Sequence, residues 1–304
     1  MVETRSLKYT FRLPFVCRAR AEDAAIARRP HHELAVAAIF REEAPFLEEW
    51  LSFHRGVGVS HFYLYNNFST DHFKAVLEPW IADGAVTLHD WPVPTGQLAA
   101  YRHCVRHYRR QARWIAFIDI DEFLFSPQQV DIRPILADYR DLPGIVVHSP
   151  YFGSDGHRQR PAGPLVEAFL RRAPLSLASA KTIANPRWIY AIRNVHLFKY
   201  WAGEALDPDR RRPGGAGALP GLDRLRLNHY WSRSMEDLQT KVGRGDASTT
   251  EQRRLDWHLA FEAQLNAEED RSIIPIARLI HEGAIRAASL RSAPIERSAV
   301  AAGA

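Results

Sequence analysis

The chain holds only two cysteines, Cys17 and Cys104, among its 304 residues. So few, set so far apart, exclude a disulfide-stapled secreted scaffold, and two reduced thiols in a cytoplasmic protein are expected. No run approaches the ~20 apolar residues of a membrane-spanning helix. The opening stretch, MVETRSLKYTFRLPFVCRAR, sets Arg12, Pro14 and Arg18 where a signal peptide needs an unbroken apolar core. There is no internal repeat and little charge asymmetry. Lys and Arg total 40 against 35 Asp and Glu, a formal net charge of +5. Such an excess suits a phosphate-bearing ligand, an anionic membrane face or a nucleic acid without choosing among them. No nucleic-acid reader motif accompanies it, so that partner is disfavoured.

What the sequence does have is apolar substance, 46% of its residues, enough for a sizeable core. Residues 1–32 read as a basic N-terminal arm. From residue 33 an alternation begins. ELAVAAIF is a short apolar strand. The helix after it starts near Pro45 and repeats Phe46, Leu47, Trp50, Leu51 and His54 at helical spacing, with Gly56 to end it. SHFYLYNN is a second strand, DHFKAVLEPWIADG a helix bent or shortened by Pro79, AVTLHDW a third strand, and GQLAAYRHCVRHYRRQA a third helix. RWIAFIDIDEFLF reads as one long fourth strand. Alternating strands and helices imply an α/β fold: a mostly parallel sheet flanked by helices, with its ligand beyond the carboxyl ends of the strands. After residue 143 come the strand GIVVHS, a helix LVEAFLRRA and two β segments around a turn at Asn185–Pro186. The stretch 202–221, rich in Pro, Gly and Arg, reads as a mobile loop. Residues 33–245 form one domain in this reading, and 246–304 a helical C-terminal extension and tail.

The fourth strand contains an anomaly. Carboxylates are almost never fully buried unless paired or bound to a metal. Yet Asp119, Asp121 and Glu122 lie between the core segments WIAFI and EFLF. On a strand Asp119 and Asp121 share a side, where two like charges need a cation between them. A Mg²⁺ or Mn²⁺ ion held by one or two carboxylates and by substrate phosphates answers that need. Glu122 alternates to the other face, where a backbone N–H or an arginine such as Arg41 would satisfy it.

Five fragments occur in one order: FREEAPFLEEWLSFHRGVGVSHFYLYNNFSTD, GQLAAYRHC, WIAFIDIDEFLF, YFGSDGH and NHYWSRSMEDLQTKVGRG. Together they resemble the family 92 (DUF23-type) glycosyltransferases and their bacterial family-2-like relatives, over about Glu33 to Gly245. The resemblance implies a GT-A-like fold and a metal-dependent enzyme. It would transfer a sugar, with inversion, from a nucleotide-diphosphate donor, typically UDP-linked and possibly carrying galactose, to a glycan or lipid-linked acceptor. Asp119 and Asp121 would hold Mn²⁺ or Mg²⁺, with His196 or His229 completing the site and His196 slightly preferred. Donor-contacting candidates are Phe40 and Arg41 after the first strand, Asn67, Ser69 and Asp71 after the second, and Gln97 and Tyr101 opening the third helix. Ile120, between the acids, and Lys181 join them. Arg41-Glu42-Glu43 and Asn66-Asn67 depart from the family's Lys-Asn-Glu and Asp-Asn. Inversion needs one general base, for which Glu167 and Asp155 are the candidates.

Each of these residues also has a plainer role. Ser69 and Asp71 are natural helix caps, Glu167 could pair with Arg171 one turn on, and Trp188, Trp201 and Trp231 could be core rather than sugar platforms. Arg193, Lys199, Arg233 and Lys241 are further late cations, of which one or two could grip a diphosphate. The arginines 102, 106, 109, 110 and 113 of the third helix form a solvated stripe or a contact with anionic lipid at the inner membrane face. Two rival readings stand beside the transferase. One is a non-catalytic nucleotide-sugar or carbohydrate-binding scaffold. The other is a D-x-D phosphohydrolase, whose motif would sit on a first strand and continue into threonine rather than Glu-Phe-Leu.

Overall fold

The computed structural model describes residues 31–213, 221–245 and 254–292. Most of the N-terminal arm, and with it Cys17, lies outside the described residues. In chain order the elements begin β1 (His32–Phe40), α1 (Ala44–Gly56), β2 (His61–Asn66), α2 (Phe73–Ala82), β3 (Val86–Asp90), α3 (Gln97–Tyr108) and β4 (Ala112–Phe117). Then come β5 (Glu122–Phe125), α4 (Arg133–Ala137), β6 (Gly144–Ser149), β7 (Tyr151–Phe152), α5 (Leu165–Ala168), β8 (Arg171–Arg172) and β9 (Ser179–Ala184). The last are β10 (Ile189–Ile192), β11 (Phe198–Tyr200), β12 (Arg226–Tyr230), α6 (Met235–Arg244), α7 (Leu255–Glu262), β13 (Glu268–Glu269) and α8 (Ile274–Ser292). Among the described residues no helix is long and apolar enough to cross a membrane.

The main sheet runs β3-β2-β1-β4-β9-β6. Its β3, β2, β1 and β4 are parallel neighbours, and β9 is antiparallel to both β4 and β6. Five of its six strands therefore point the same way, as the alternation implies. β1 is central and buried on both faces, which its unbroken apolar run requires. Leu34, Val36 and Ala38 face a core shared with α1, α2, Ile273 just before α8 and Ile276 in its first turn. Ala35, Ala37 and Ile39 face a second core built with α3, β10 and β11. Cys104 is buried in that second core, and burial pushes its thiol up, which keeps it unreactive.

The structure corrects the single fourth strand. β4 stops at Phe117, and β5 belongs to a second sheet of order β13-β8-β7-β12-β5. Between them the chain reverses, with the Glu122 N–H donating to the Asp119 carbonyl at 3.1 Å. Two side chains of α1 hold β5 in its new place. The Trp50 indole donates to the Glu122 carbonyl at 2.8 Å, and His54 Nε2 accepts from the Leu124 N–H at 3.1 Å. Since Nε2 accepts, the ring proton is on Nδ1 and goes to the Trp50 carbonyl at 2.8 Å. Burial lowers the His54 pKa to about 3, so the ring stays neutral in this double role.

Other local readings are revised too. The helix LVEAFLRRA is one turn, ended by β8. The stretch from Ser179 to Tyr200 is three strands rather than two, with β10 and β11 forming a hairpin. Part of the Pro/Gly/Arg stretch is ordered: the Val146 N–H donates to the Leu206 carbonyl at 2.8 Å and Asp207 is buried. Residues 214–220 lie outside the described residues. The arginine stripe of α3 is not uniformly solvated, because Arg102 donates to the Ile192 carbonyl and Arg109 to the Arg187 carbonyl.

The C-terminal extension is stitched into this body. β13 pairs with β8, and the neighbouring Asp270 accepts from Arg172 at 2.9 Å and Arg226 at 2.8 Å. Burial alone would raise the Asp270 pKa, but Arg226 and Ser272 outweigh it and hold the carboxyl well below the usual range. A carboxyl depressed on folding contributes stability that is present above its unfolded pKa, near ~4, and lost as pH falls below it. Asp270→Asn is expected to cost about 3 kcal/mol at neutral pH in urea melts, with the deficit against wild type shrinking below about pH 4.

Candidate active site

The reversal between the two sheets gathers the acids at the carboxyl end of β4. Asp119 Oδ1 accepts from the Gln97 amide at 2.7 Å, and Asp119 Oδ2 pairs with Lys181 at 2.5 Å. Asp121 Oδ2 pairs with Lys241 on α6 at 2.6 Å and lies 3.4 Å from His229 Nε2 on β12. Glu122 is fully buried. It neither faces away from the other acids nor meets Arg41. Its Oε2 accepts from the Asp119 N–H at 2.9 Å and sits 3.5 Å from Lys181, while Oε1 is 3.4 Å from His229 Nδ1. The third acid is thus the clasp of the reversal. The alternation argument fails because residues 118–121 are not strand.

The charges explain one another. Burial works to raise the Asp121 pKa, but Lys241 and His229 overcome it and hold the carboxyl well below the ordinary range. Burial pushes Glu122 up to about 7 despite Lys181. Burial would lower Lys181, yet Asp119 and Glu122 keep it charged, well above its usual value. Arg233 is buried, with its guanidinium 3.6 Å from the Phe46 ring centroid and one nitrogen on Glu43 Oε2 at 2.6 Å. Its Nε and Nη2 have no hydrogen-bond partner among the described residues. Asp121 acts on its charge, which places the guanidinium beside the cluster. Arg233 also adopts φ 55°, a left-handed conformation that a side chain of this size rarely takes.

Gln97, Tyr101, Lys181 and His229 therefore converge on Asp119 and Asp121. Tyr101 is buried and accepts from Gln97 at 3.3 Å. His196 Nδ1 is 3.0 Å from the Ala180 carbonyl, and its ring feels Lys181, Asp119 and His229. The donor candidates on the first two loops are engaged in building them. Asn67 donates to the Trp91 and Val93 carbonyls, Ser69 accepts from the Glu42 N–H, and Asp71 caps α1 through the Ala44 N–H at 2.8 Å. Phe40 and Ile120 are buried, and the Arg41 guanidinium lies 5.4 Å from the Phe68 ring centroid. Asp155 accepts from the Leu170 N–H at 3.1 Å. Glu167 is exposed on α5, and Arg171 donates to the Asn266 and Ala267 carbonyls.

Sequence reasoning gave no role to Glu43, Glu49 or Glu262. Glu43 joins Arg233 to Arg244, Glu49 caps α5 through the Leu165 N–H at 2.8 Å, and Glu262 binds the Ser154 N–H and the Ser232 hydroxyl. One signal was available for α6. Ser234 and Asp237 form a capping box, with the Ser234 hydroxyl accepting from the Asp237 N–H at 3.1 Å, and Lys241 follows Asp237 by one turn.

Two carboxylates and an imidazole suit a divalent ion that takes oxygen and nitrogen ligands. Asp119, Asp121 and His229 are that donor set, with the Nε2 side of His229 turned to Asp121 and its Nδ1 to Glu122. Among the described residues no three such groups are already arranged as a cage, and Lys181 and Lys241 each pair with an aspartate oxygen. The residues fit the ion by chemistry, provided that the ammonium groups exchange partners.

A mostly parallel α/β sheet with a cluster of acids and cations at its carboxyl edge defines the class. The chain belongs to glycosyltransferase family 92, whose sequence model matches residues 33–202. It is 30% identical over 180 residues to a glycosyltransferase family 92 protein of Oryza sativa subsp. japonica, covering 56% of this chain and 30% of that one. It is 31% identical over 105 residues to a galactan beta-1,4-galactosyltransferase of Arabidopsis thaliana, covering 31% of this chain and 20% of the relative. The chain spans about a third or less of the length of these curated relatives. Among solved structures it resembles S. aureus TarS residues 1–349 in complex with UDP, at 11% identity and TM-score 0.35, over 51% of this chain and 47% of that one. It also resembles glucosyl-3-phosphoglycerate synthase from Mycobacterium tuberculosis in complex with Mn²⁺, UDP and glucosyl-3-phosphoglycerate. That match has 17% identity and TM-score 0.31, over 56% of this chain and 62% of the other.

Proposed function

We propose that the chain is a metal-dependent glycosyltransferase that moves a sugar, galactose in our reading, from a UDP-linked donor to a glycan acceptor with inversion. The observation that carries this reading is the balanced cluster of Asp119, Asp121 and Glu122 with Lys181, Lys241 and the half-used guanidinium of Arg233, in a family 92 chain. Mn²⁺ or Mg²⁺ held by Asp119, Asp121 and His229 would supply Lewis-acid neutralisation of the departing diphosphate. The chain's own groups do the rest. Were the aspartates to hold the ion, Lys181 and Lys241 could turn a hydrogen bond toward phosphate oxygens, as could the Arg233 Nε and Nη2, which have no hydrogen-bond partner among the described residues. Glu122 keeps the Asp119 N–H and the reversal in place meanwhile.

We propose Glu167 as the general base: it is exposed on α5, while one oxygen of Asp155, the other candidate, accepts from the Leu170 N–H. Glu167→Gln is expected to lower transfer to acceptor by about 10²- to 10⁴-fold, measured as initial rates at saturating donor. The reading as a whole is tested by calorimetric titration and turnover with a panel of UDP- and GDP-sugars, with and without Mn²⁺. Metal-dependent release of a nucleoside diphosphate supports it. Binding without turnover in the presence of acceptor glycans would point to a scaffold and sink the transferase reading.

A further inference from the structure

Beside the charged cluster runs a line of aromatic rings that the chemistry above does not use. Tyr151 packs 5.0 Å from the His229 ring, and Phe261 lies 5.4 Å beyond Tyr151. Trp257 then stacks on Phe261 at 5.4 Å with an interplanar angle of 13°. Trp231 supports this line. It sits 4.9 Å from Phe261, stacks on His258 at 5.2 Å, and carries the Lys241 ammonium 5.2 Å from its ring. The same lysine pairs with Asp121, so the aromatic line and the acid cluster are one continuous surface.

The far end of the line is open. Trp257 is 56% exposed, the most exposed of the large apolar side chains described. A single exposed apolar side chain is ordinary; what sets Trp257 apart is that it ends a line of packed rings that reaches the charged cluster. The ring is also fixed in place. Its helix α7 is anchored by buried Glu262, which binds the Ser154 N–H at 2.9 Å and the Asn266 amide at 2.7 Å. A rigid platform of this kind costs little entropy on binding.

The chemistry of the surroundings selects the occupant. Arg254 and Asp256 form an exposed ion pair close by in sequence, and the line ends in charge at Lys241 and Asp121. Leu255 and Leu259 are exposed on the same helix, yet the line of rings runs into Lys241 and Asp121, and a lipid chain or apolar peptide laid along it would have to meet those charges. A pyranose has an apolar C–H face for the ring and hydroxyl edges for the polar rim. We propose that Trp257, backed by Phe261 and Trp231, is a stacking platform for a neutral, extended oligosaccharide acceptor that leads its reacting end toward His229 and Asp121. This inference rests on the glycosyltransferase reading for the direction of the chain, though not for the binding itself.

The test is isothermal titration of the full chain with tetra- to hexasaccharides of the galactan, glucan and mannan types. Trp257→Ala and Trp257→Phe are titrated in parallel, with thermal midpoints confirming that both variants fold. Saturable binding of at least one series is expected, weakened about tenfold or more in Trp257→Ala and largely kept in Trp257→Phe. Equal affinity in wild type and Trp257→Ala overturns the proposal, as does absence of binding in every series. Binding of anionic phospholipid vesicles that depends on Trp257, with no oligosaccharide binding, also overturns it. UDP-sugar hydrolysis by the wild type is measured alongside. Hydrolysis without Trp257-dependent binding removes the platform and leaves the enzyme. Trp257-dependent binding without hydrolysis of any donor removes the enzyme and leaves the platform.

Discussion

Asp121→Asn is expected to lower nucleotide-sugar turnover by about a thousandfold, roughly 4 kcal/mol of transition-state stabilisation. The substitution is nearly isosteric and keeps one acceptor oxygen. What it removes is the formal charge that faces Lys241 and His229. Lys241 is not stranded by the change, since it also donates to the Trp231 carbonyl at 2.9 Å. The loss should therefore appear in kcat/KM and in the Mn²⁺ concentration needed for half-maximal rate, far more than in the thermal midpoint. Asp119→Asn should act in the same direction, with Lys181 retaining Glu122 as its second partner. Metal-dependent turnover within threefold of wild type in Asp121→Asn would remove this carboxylate from the chemistry.

Glu43→Ala carries the largest expected cost in stability, about 3–5 kcal/mol. Glu43 is buried and takes one arginine on each oxygen: Arg233 on Oε2 at 2.6 Å and Arg244 on Oε1. Arg244 in turn donates to the Arg41 and Glu42 carbonyls and so ties the loop after β1 to α6. Removing the carboxylate leaves Arg233 buried with no counter-charge from this side, whereas an apolar replacement of all three residues would not. Urea unfolding at neutral pH measures the effect. Glu43→Gln, which keeps an acceptor, should lose less. A loss under about 1 kcal/mol in Glu43→Ala would show that Arg233 finds another partner and that the pair does not organise this end of the cluster.

The difference between what the sequence reveals and what it hides follows the range of the interactions. The first four strands and three helices are readable because their apolar residues repeat at periods that neighbours in sequence decide. The break after Phe117 is not readable, because EFLF continues the apolar pattern of WIAFI. What ends the strand is Trp50 and His54, brought in by a helix some 70 residues earlier. The site divides in the same way. Asp119 and Asp121 stand out because charge inside an apolar run is costly wherever it occurs. Lys241 and the Glu43–Arg233 pair do not, since their partners lie 120 and 190 residues away. Glu122 misled for a local reason: alternation assigns faces only while the backbone stays extended.

The four residues from Ile118 to Asp121 join two sheets, and the spacing of the acids is set by that joint rather than by flexible side chains. The joint therefore has no slack in length. One residue more or fewer between Phe117 and Glu122 would have to be taken up in this turn and would pull Glu122 from the Asp119 N–H it holds. Substitutions at Ile120 can be absorbed by repacking, but an insertion or deletion there cannot. Over evolutionary drift the residue at 120 can change, while the three acids and the residue count of this segment stay fixed.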